Sequence, residues 1–268
     1  MSQLHLIARL STAIALLAVA GCAPAAVQDA PATAAATPAP DAVPAGANLA
    51  QFFDNYDAAQ LSLSPQGKAY RGIRDADYGR WNDVSDEAAI ANHKLQQATA
   101  AAMRGSFDPA SMSTDEALSF ELFNAQAARA ERLFPFRDRG YVFDQMNGPQ
   151  SQLPAFLINI HRVANVAEAE AYVARIRGLG PVLDALNAES VKRAAKGVQP
   201  PKWVYAYLIS DIGNLQGPNN AVIEDITAKV AKLGIDAAEK TRLTTAAKTA
   251  WADSAGPAYG RLLAEMKR

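Results

Sequence analysis

Four arginines, Arg129, Arg132, Arg137 and Arg139, stand close to Asp138, Tyr141, Asp144 and Gln145 at the end of one phenylalanine-rich stretch. A guanidinium presents a rigid fork of donors that pairs bidentately with a carboxylate or phosphate, so such a cluster could hold an acidic group of a peptide or protein ligand. The same side chains could instead pair with Asp138 and Asp144 and with the last carbonyls of a helix. Arg132, Arg137, Arg139, Tyr141, Asp144 and Gln145 are therefore the candidate ligand-binding residues, with the structural role standing beside the binding one.

Other reactive types are sparse. The histidines are His5, His93 and His161, and neither His93 nor His161 begins an H-E-x-x-H pair. A catalytic zinc takes three protein ligands, so folding would have to bring one of these histidines to two carboxylates. The plainer expectation is a surface or partly buried histidine in each of two helices. No G-x-S-x-G elbow is present, which leaves a Ser/His/Asp triad without a signature. Gly178-Leu179-Gly180 lies inside a helical pattern with no preceding strand and reads as a kink, not a phosphate loop. Asp86-Glu87, Asp115-Glu116, Glu168 and Glu170 fall in first helical turns, where a carboxylate favours the helix dipole. Trp203, Tyr205, Tyr207, Trp251 and Tyr259 read as core and rim aromatics.

The single cysteine, Cys22, ends the run Leu17-Ala18-Val19-Ala20-Gly21-Cys22. Arg9 precedes an almost wholly apolar stretch from Leu10 to Ala20, the order of a secretory signal. That stretch is short of the ~20 residues that span a bilayer, so a cleaved signal is expected over residues 1–21. A small-small-Cys ending resembles the bacterial lipobox, which makes Cys22 the lipidation site. An ordinary cleaved signal with Cys22 incidental is the alternative. Each buried CH₂ contributes ~0.8 kcal/mol, so two or three acyl chains would anchor the protein stably to a membrane. Ala23 after the cysteine is similar to the default routing to an outer membrane, which places the body in the cell envelope facing the periplasm. With Cys22 acylated, the rest of the chain has no thiol for a disulfide, a metal or catalysis.

The rest of the chain must position these residues. Residues 22–47 are dominated by Ala and Pro without an aromatic, and are expected to form a disordered tether reaching up to ~80 Å in an extended state. Residues 48–268, about 220 in number, are long enough for one sizeable core. The formal charge is −1, and −2 once Arg9 leaves with the signal, so no nucleic-acid surface is expected. Helical spacing runs through the whole body, and no segment sustains the alternation of a strand.

Leu49, Phe52, Phe53, Tyr56, Gln60 and Leu63 define a first helix ended by Ser64-Pro65. Ser85 or Asp83 caps a second, stopped by Gly105. Ser113-Thr114-Asp115-Glu116 is a capping box before the stripe Phe120, Phe123, Ala127, Ala130, Phe134. Further helices are predicted over Gln150–Ile160, over Val166 to about Ala195 with a bend or break at Gly178–Pro181, and from Pro200-Pro201 to about Leu215. Asn219 or Asn220 caps one to Leu233, and Asp236 caps a long last one. The expected fold is an all-α, irregular multi-helix bundle behind a signal peptide and an Ala/Pro tether.

Several short stretches stand in order along the chain: Phe52-Phe53-Asp54 to Leu63-Ser64-Pro65 with Gly67, then Phe143-Asp144-Gln145-Met146-Asn147-Gly148 leading to Leu153-Pro154-Ala155-Phe156-Leu157. Tyr172-Val173-Ala174-Arg175-Ile176, Gly197-Val198-Gln199-Pro200-Pro201 and Pro257-Ala258-Tyr259-Gly260-Arg261-Leu262 come after them. From about Leu49 onward the chain resembles the first half of a bacterial family, domain of unknown function 885, whose members are often exported lipoproteins. An Asn often stands there at the position of Asp144. Full-length relatives are about twice as long and look like gluzincin-type zinc peptidases, with an H-E-x-x-P-G-H-like stretch in the second half. The resemblance implies zinc only in those relatives, and no position here matches a zinc ligand or catalytic Glu. It implies a non-catalytic half, either a gene fragment or a shortened protein; a self-standing periplasmic binding lipoprotein is the alternative.

Overall fold

The computed structural model describes Val43 and residues 46–268. The signal, Cys22 and nearly all of the tether lie outside the described residues. Val43 is already buried. The described residues form an all-α bundle with no strand among them.

The first elements are α1 (Leu49–Ser62), α2 (Pro65–Tyr70), α3 (Asp86–Ser106) and α4 (Thr114–Leu133). Their starts follow local chemistry. Asn48, Ser64 and Ser85 each accept a hydrogen bond from a first-turn amide, and Ser113 and Glu116 close the capping box in both directions. Ser64-Pro65 does end α1, but it also opens α2, because proline at the first helical position loses only a donor that had no partner. Gly105 does not stop α3, which takes one more residue before Phe107 turns extended. Phe120, Phe123 and Ala127 of α4 meet Leu49 and Phe52 of α1 and Ala100 and Met103 of α3 in a small apolar core. The opposite face of α4 leaves Leu118, Leu122 and Leu133 each more than half exposed.

The larger core is built by α5 (Pro149–Asn159), α6 (Val166–Ala194), α7 (Lys202–Gly213), α8 (Ala221–Ala231), α9 (Ala237–Ala250) and α10 (Gly256–Met266). Between α9 and α10 the five residues Trp251–Ala255 form a π-turn. The long last helix expected from Asp236 therefore runs on to Met266 with this wider π segment inside it. Pro257 has no N–H for the preceding turn, and the Gly256 amide reaches back to the Trp251 carbonyl in the wider π pattern.

Two further prolines lie inside helices, Pro154 in α5 and Pro181 in α6. Each leaves the carbonyl four residues earlier without its helical donor. Both carbonyls are taken up by hydroxyls from the C-terminal segment. The Tyr259 hydroxyl donates to the Gln150 carbonyl at 3.0 Å, and the Ser254 hydroxyl to the Arg177 carbonyl at 2.6 Å. Helix α6 consequently runs unbroken through Gly178–Pro181, where the sequence predicts a bend or break. The glycines are landing points. A Cβ on Gly178 would meet the Trp81 ring at 3.0 Å, and one on Gly180 would collide with the Ser254 hydroxyl and lie 2.9 Å from its carbonyl oxygen.

Gly180→Ala is accordingly expected to cost about 2–3 kcal/mol in urea unfolding, because backbone must move apart. Gly260, on α10 with open space around its Cα, serves as the control. Gly260→Ala should stabilise by about 0.5–1 kcal/mol through helix propensity. Equal effects at the two positions would contradict this packing account.

Candidate functional site

The arginine-rich segment does not converge on one point. Arg129 and Arg132 lie on the exposed face of α4. Arg137 makes a bidentate pair with Asp86 at the start of α3, at 2.7 and 2.9 Å, and lies over the Phe134 ring at 4.5 Å. Arg139 approaches Asp138, whose carboxylate also accepts from Lys196 at 2.8 Å. Arg193, near the end of α6, donates to the Gly140 carbonyl. The Asp86 carboxyl is held below its usual range by Arg137, and that of Asp138 by Lys196. These pairs strap the loop after α4 to α3 and to the end of α6.

Tyr141 is half exposed. Asp144 turns inward on its own loop, accepting from the amides of Met146 and Asn147 at 2.7 Å each. Gln145 is partly buried in that turn. Gln150, fully buried, donates to the Asp144 carbonyl at 2.6 Å. Gly148 is needed there, since a Cβ would strike the Gln150 amide oxygen and lie 2.7 Å from the Asp144 nitrogen.

A polar network that the sequence reading missed surrounds Arg175, which is fully buried on α6. Its guanidinium donates to the Arg80 carbonyl at 3.1 Å, to His161 Nδ1 at 2.9 Å and to the Pro65 carbonyl at 3.4 Å. The rings of Tyr78, Trp81 and Phe156 surround it within 5.7 Å, where cation–π attraction offsets part of the lost hydration. Burial pulls its pKa down to about 10, so it remains cationic at neutral pH. The one available signal was position: Arg175 is three residues after the buried Tyr172 and four before the buried Leu179, inside the apolar face of α6.

His161 is fully buried and lies beyond the end of α5, where a helix histidine at the surface or partly buried was expected. Because Nδ1 accepts from Arg175, the ring proton sits on Nε2 and is donated to the Glu168 carbonyl at 3.0 Å. Both ring nitrogens are thus engaged, with no lone pair left for a metal or a substrate. Burial, reinforced by the nearby Arg175, Lys229 and Arg74 cations, drives its pKa to about 3, although the bond to Glu168 acts the other way.

Glu168 does more than meet the helix dipole. It accepts from the Ala164 amide at 2.8 Å and from Arg74 at 2.7 Å. Lys229 donates to the carbonyls of Leu157, Ile158 and His161, closing the C-terminus of α5, and pairs with Asp225 at 2.7 Å. Asp225 in turn accepts from the Tyr172 hydroxyl, whose pKa is raised first by burial. No three His, Cys, Asp or Glu side chains converge as metal ligands among the described residues.

The open feature is a groove of about 590 Å³ between α1, α3 and the end of α4. Tyr56 and Gln60 form one wall, Asn92 and Gln96 of α3 the floor, and Leu133, Phe134 and Phe136 the other wall. His93 stacks on Phe134 with 3.9 Å between centroids and an interplanar angle of 7°. Its Nε2 lies 2.8 Å from Glu131.

Fold and site together define an all-α protein with a sealed arginine–histidine core and an open, amide-floored groove. The chain belongs to the bacterial protein family of unknown function DUF885, whose family model matches residues 65–268. In fold it is similar to a protein described as "the putative lipoprotein from Colwellia psychrerythraea", with a TM-score of 0.69 and 16% sequence identity. That likeness covers 82% of this chain and 40% of the Colwellia chain, so it spans less than half of the fold relative's length. No curated protein matches the sequence.

Proposed function

We propose that this chain is an exported lipoprotein, held through Cys22 in the outer membrane and facing the periplasm, whose helical body corresponds to the N-terminal, non-catalytic half of peptidase-like relatives. The observation that carries the reading is the span of the likeness: nearly the whole described body matches 40% of a longer chain described as a lipoprotein. The exposed leucines of α4 support it, since Leu118, Leu122 and Leu133 form a face with no partner among the described residues. The engagement of both His161 nitrogens supports it as well. In the longer relatives this half would wall a substrate cleft, and any zinc would be held by residues beyond it.

The full chain purified in detergent should therefore hold no stoichiometric zinc and leave peptide substrates uncut. Zinc that chelators remove together with a peptide-cleaving activity would defeat the proposal. The anchor has its own test. Grown with an alkyne-tagged fatty acid, the host should label the protein and retain it in the membrane fraction, whereas Cys22→Ala should lose both label and membrane retention. Persistence of the label in Cys22→Ala would remove the lipobox reading.

A second reading, a self-standing binding lipoprotein, is favoured by the groove, whose floor presents side-chain amides without internal partners among the described residues. Dye binding separates the two. A half torn from a larger core binds hydrophobic dyes and aggregates, while a self-standing module is monodisperse and melts cooperatively.

A further inference from the structure

The groove floor sets unpaired polar side chains facing open space in a regular array. Asn92 and Gln96 lie one helical turn apart on the same face of α3, and neither makes a side-chain hydrogen bond among the described residues. Four residues of helix advance ~6 Å. Alternate residues of an extended strand are ~6.6 Å apart. Two side-chain amides at this spacing therefore match two successive peptide units on one side of an extended chain, each amide supplying a donor and an acceptor.

The charges at the groove are already engaged. Arg137 is held by Asp86 through two bonds, and Glu131 by His93. An anionic ligand would have to displace Asp86 from Arg137, the one fixed charge in the lining, or leave its own desolvation uncompensated. The wall opposite offers apolar surface, with Leu133 52% and Phe136 61% exposed. At about 590 Å³ the groove falls in the range of small-ligand clefts.

We propose that this groove binds an uncharged, extended peptide segment, its backbone read by Asn92 and Gln96 and one apolar side chain resting on Leu133 and Phe136. The proposal rests on the binding reading of the groove and specifies its ligand class; it does not depend on the anchor or on the absence of cleavage. Recognition by side-chain amides is indifferent to most of the peptide's sequence, so the groove would accept many segments with an apolar residue at one position.

The test is calorimetric titration of the full chain in detergent with acetyl-Ser-Leu-Ser-Leu-Ser-amide. The probe should bind saturably. Asn92→Ala and Gln96→Ala should each weaken binding by about fivefold or more, the worth of one net hydrogen-bonded amide. Both changes put alanine on a helix position that faces the open groove, and an unchanged thermal melt verifies that the variants fold. The same peptide methylated on its two leucine nitrogens should not bind, and Gln126→Ala, on the exposed side of α4, should leave affinity unchanged. Binding that ignores both amide substitutions overturns the proposal. Binding of chitotetraose in place of the peptide overturns the peptide assignment and leaves the groove a site. Binding of neither overturns both.

Discussion

Arg175→Ala is expected to lower the unfolding free energy by about 4 kcal/mol or more, a large part of the 5–15 kcal/mol that holds a typical domain together. Two losses combine. The Arg80 and Pro65 carbonyls and His161 Nδ1 lose their donor inside the protein. The space enclosed by Tyr78, Trp81 and Phe156 becomes a cavity. Arg175→Met separates the two, since it keeps most of the volume and none of the donors. It should recover the cavity part and leave about 2–3 kcal/mol of damage from unmet acceptors. Lysine offers a point charge in place of a fork and cannot reach three acceptors, so Arg175→Lys should fall near the Met variant. Urea unfolding followed by circular dichroism provides the numbers. A loss below about 1 kcal/mol for Arg175→Ala, the worth of one ordinary hydrogen bond, would mean that the segment from Pro65 to Trp81 is not held by this side chain.

The second large effect is acid lability. His161 is neutral in the folded protein with a pKa of about 3, against 6.5 for an ordinary histidine. Below pH 6.5 the unfolded chain binds a proton that the folded chain refuses. Stability is therefore fully present above pH 6.5 and falls by about 1.4 kcal/mol per unit as the pH drops towards 3, on the order of 5 kcal/mol in all. Carboxylates held low by cations, such as Asp57 by Arg71 and Asp138 by Lys196, add the same sign of dependence only nearer the carboxylate range. The window from pH 6.5 to about 5 thus isolates the imidazole. There His161→Gln, less stable at pH 7 but unable to take up a proton, should show an unfolding midpoint that barely moves. A wild-type midpoint flat across the same window would show that His161 is protonated without cost.

What could be read from the sequence was local. The caps at Ser85, Ser113, Asn220 and Asp236 and the stripe Phe120, Phe123, Ala127 were legible because a cap or an apolar face needs only residues within a few positions. Arg175 was not. Two of its three acceptors lie 95 and 110 residues away, and they are carbonyls, which every residue carries; the third is a ring nitrogen of His161. The glycines at 178 and 180 suggested a kink because their real constraint, the approach of Trp81 and Ser254, is equally remote in the chain. The candidate ligand residues illustrate the reverse error. Neighbours in sequence across a helix end point along different directions, so Arg137, Arg139 and Asp144 were close on paper and reach different partners in space, and Arg132 and Gln145 join none of them. Asn92 and Gln96 escaped notice because amides one helical turn apart look like any solvated helix face until a wall rises opposite them.

The Gln150 and Arg177 carbonyls, freed by Pro154 and Pro181 and answered by Tyr259 and Ser254, bear on the order in which this protein can be made. A chain synthesised from its amino end presents α5 and α6 long before the hydroxyls that complete them. Until those residues emerge, each helix carries an unmet acceptor, and the pocket for the C-terminal segment stands open. Closure of the larger core therefore waits on the segment from Ser254 to Tyr259, however early α5 and α6 themselves can form.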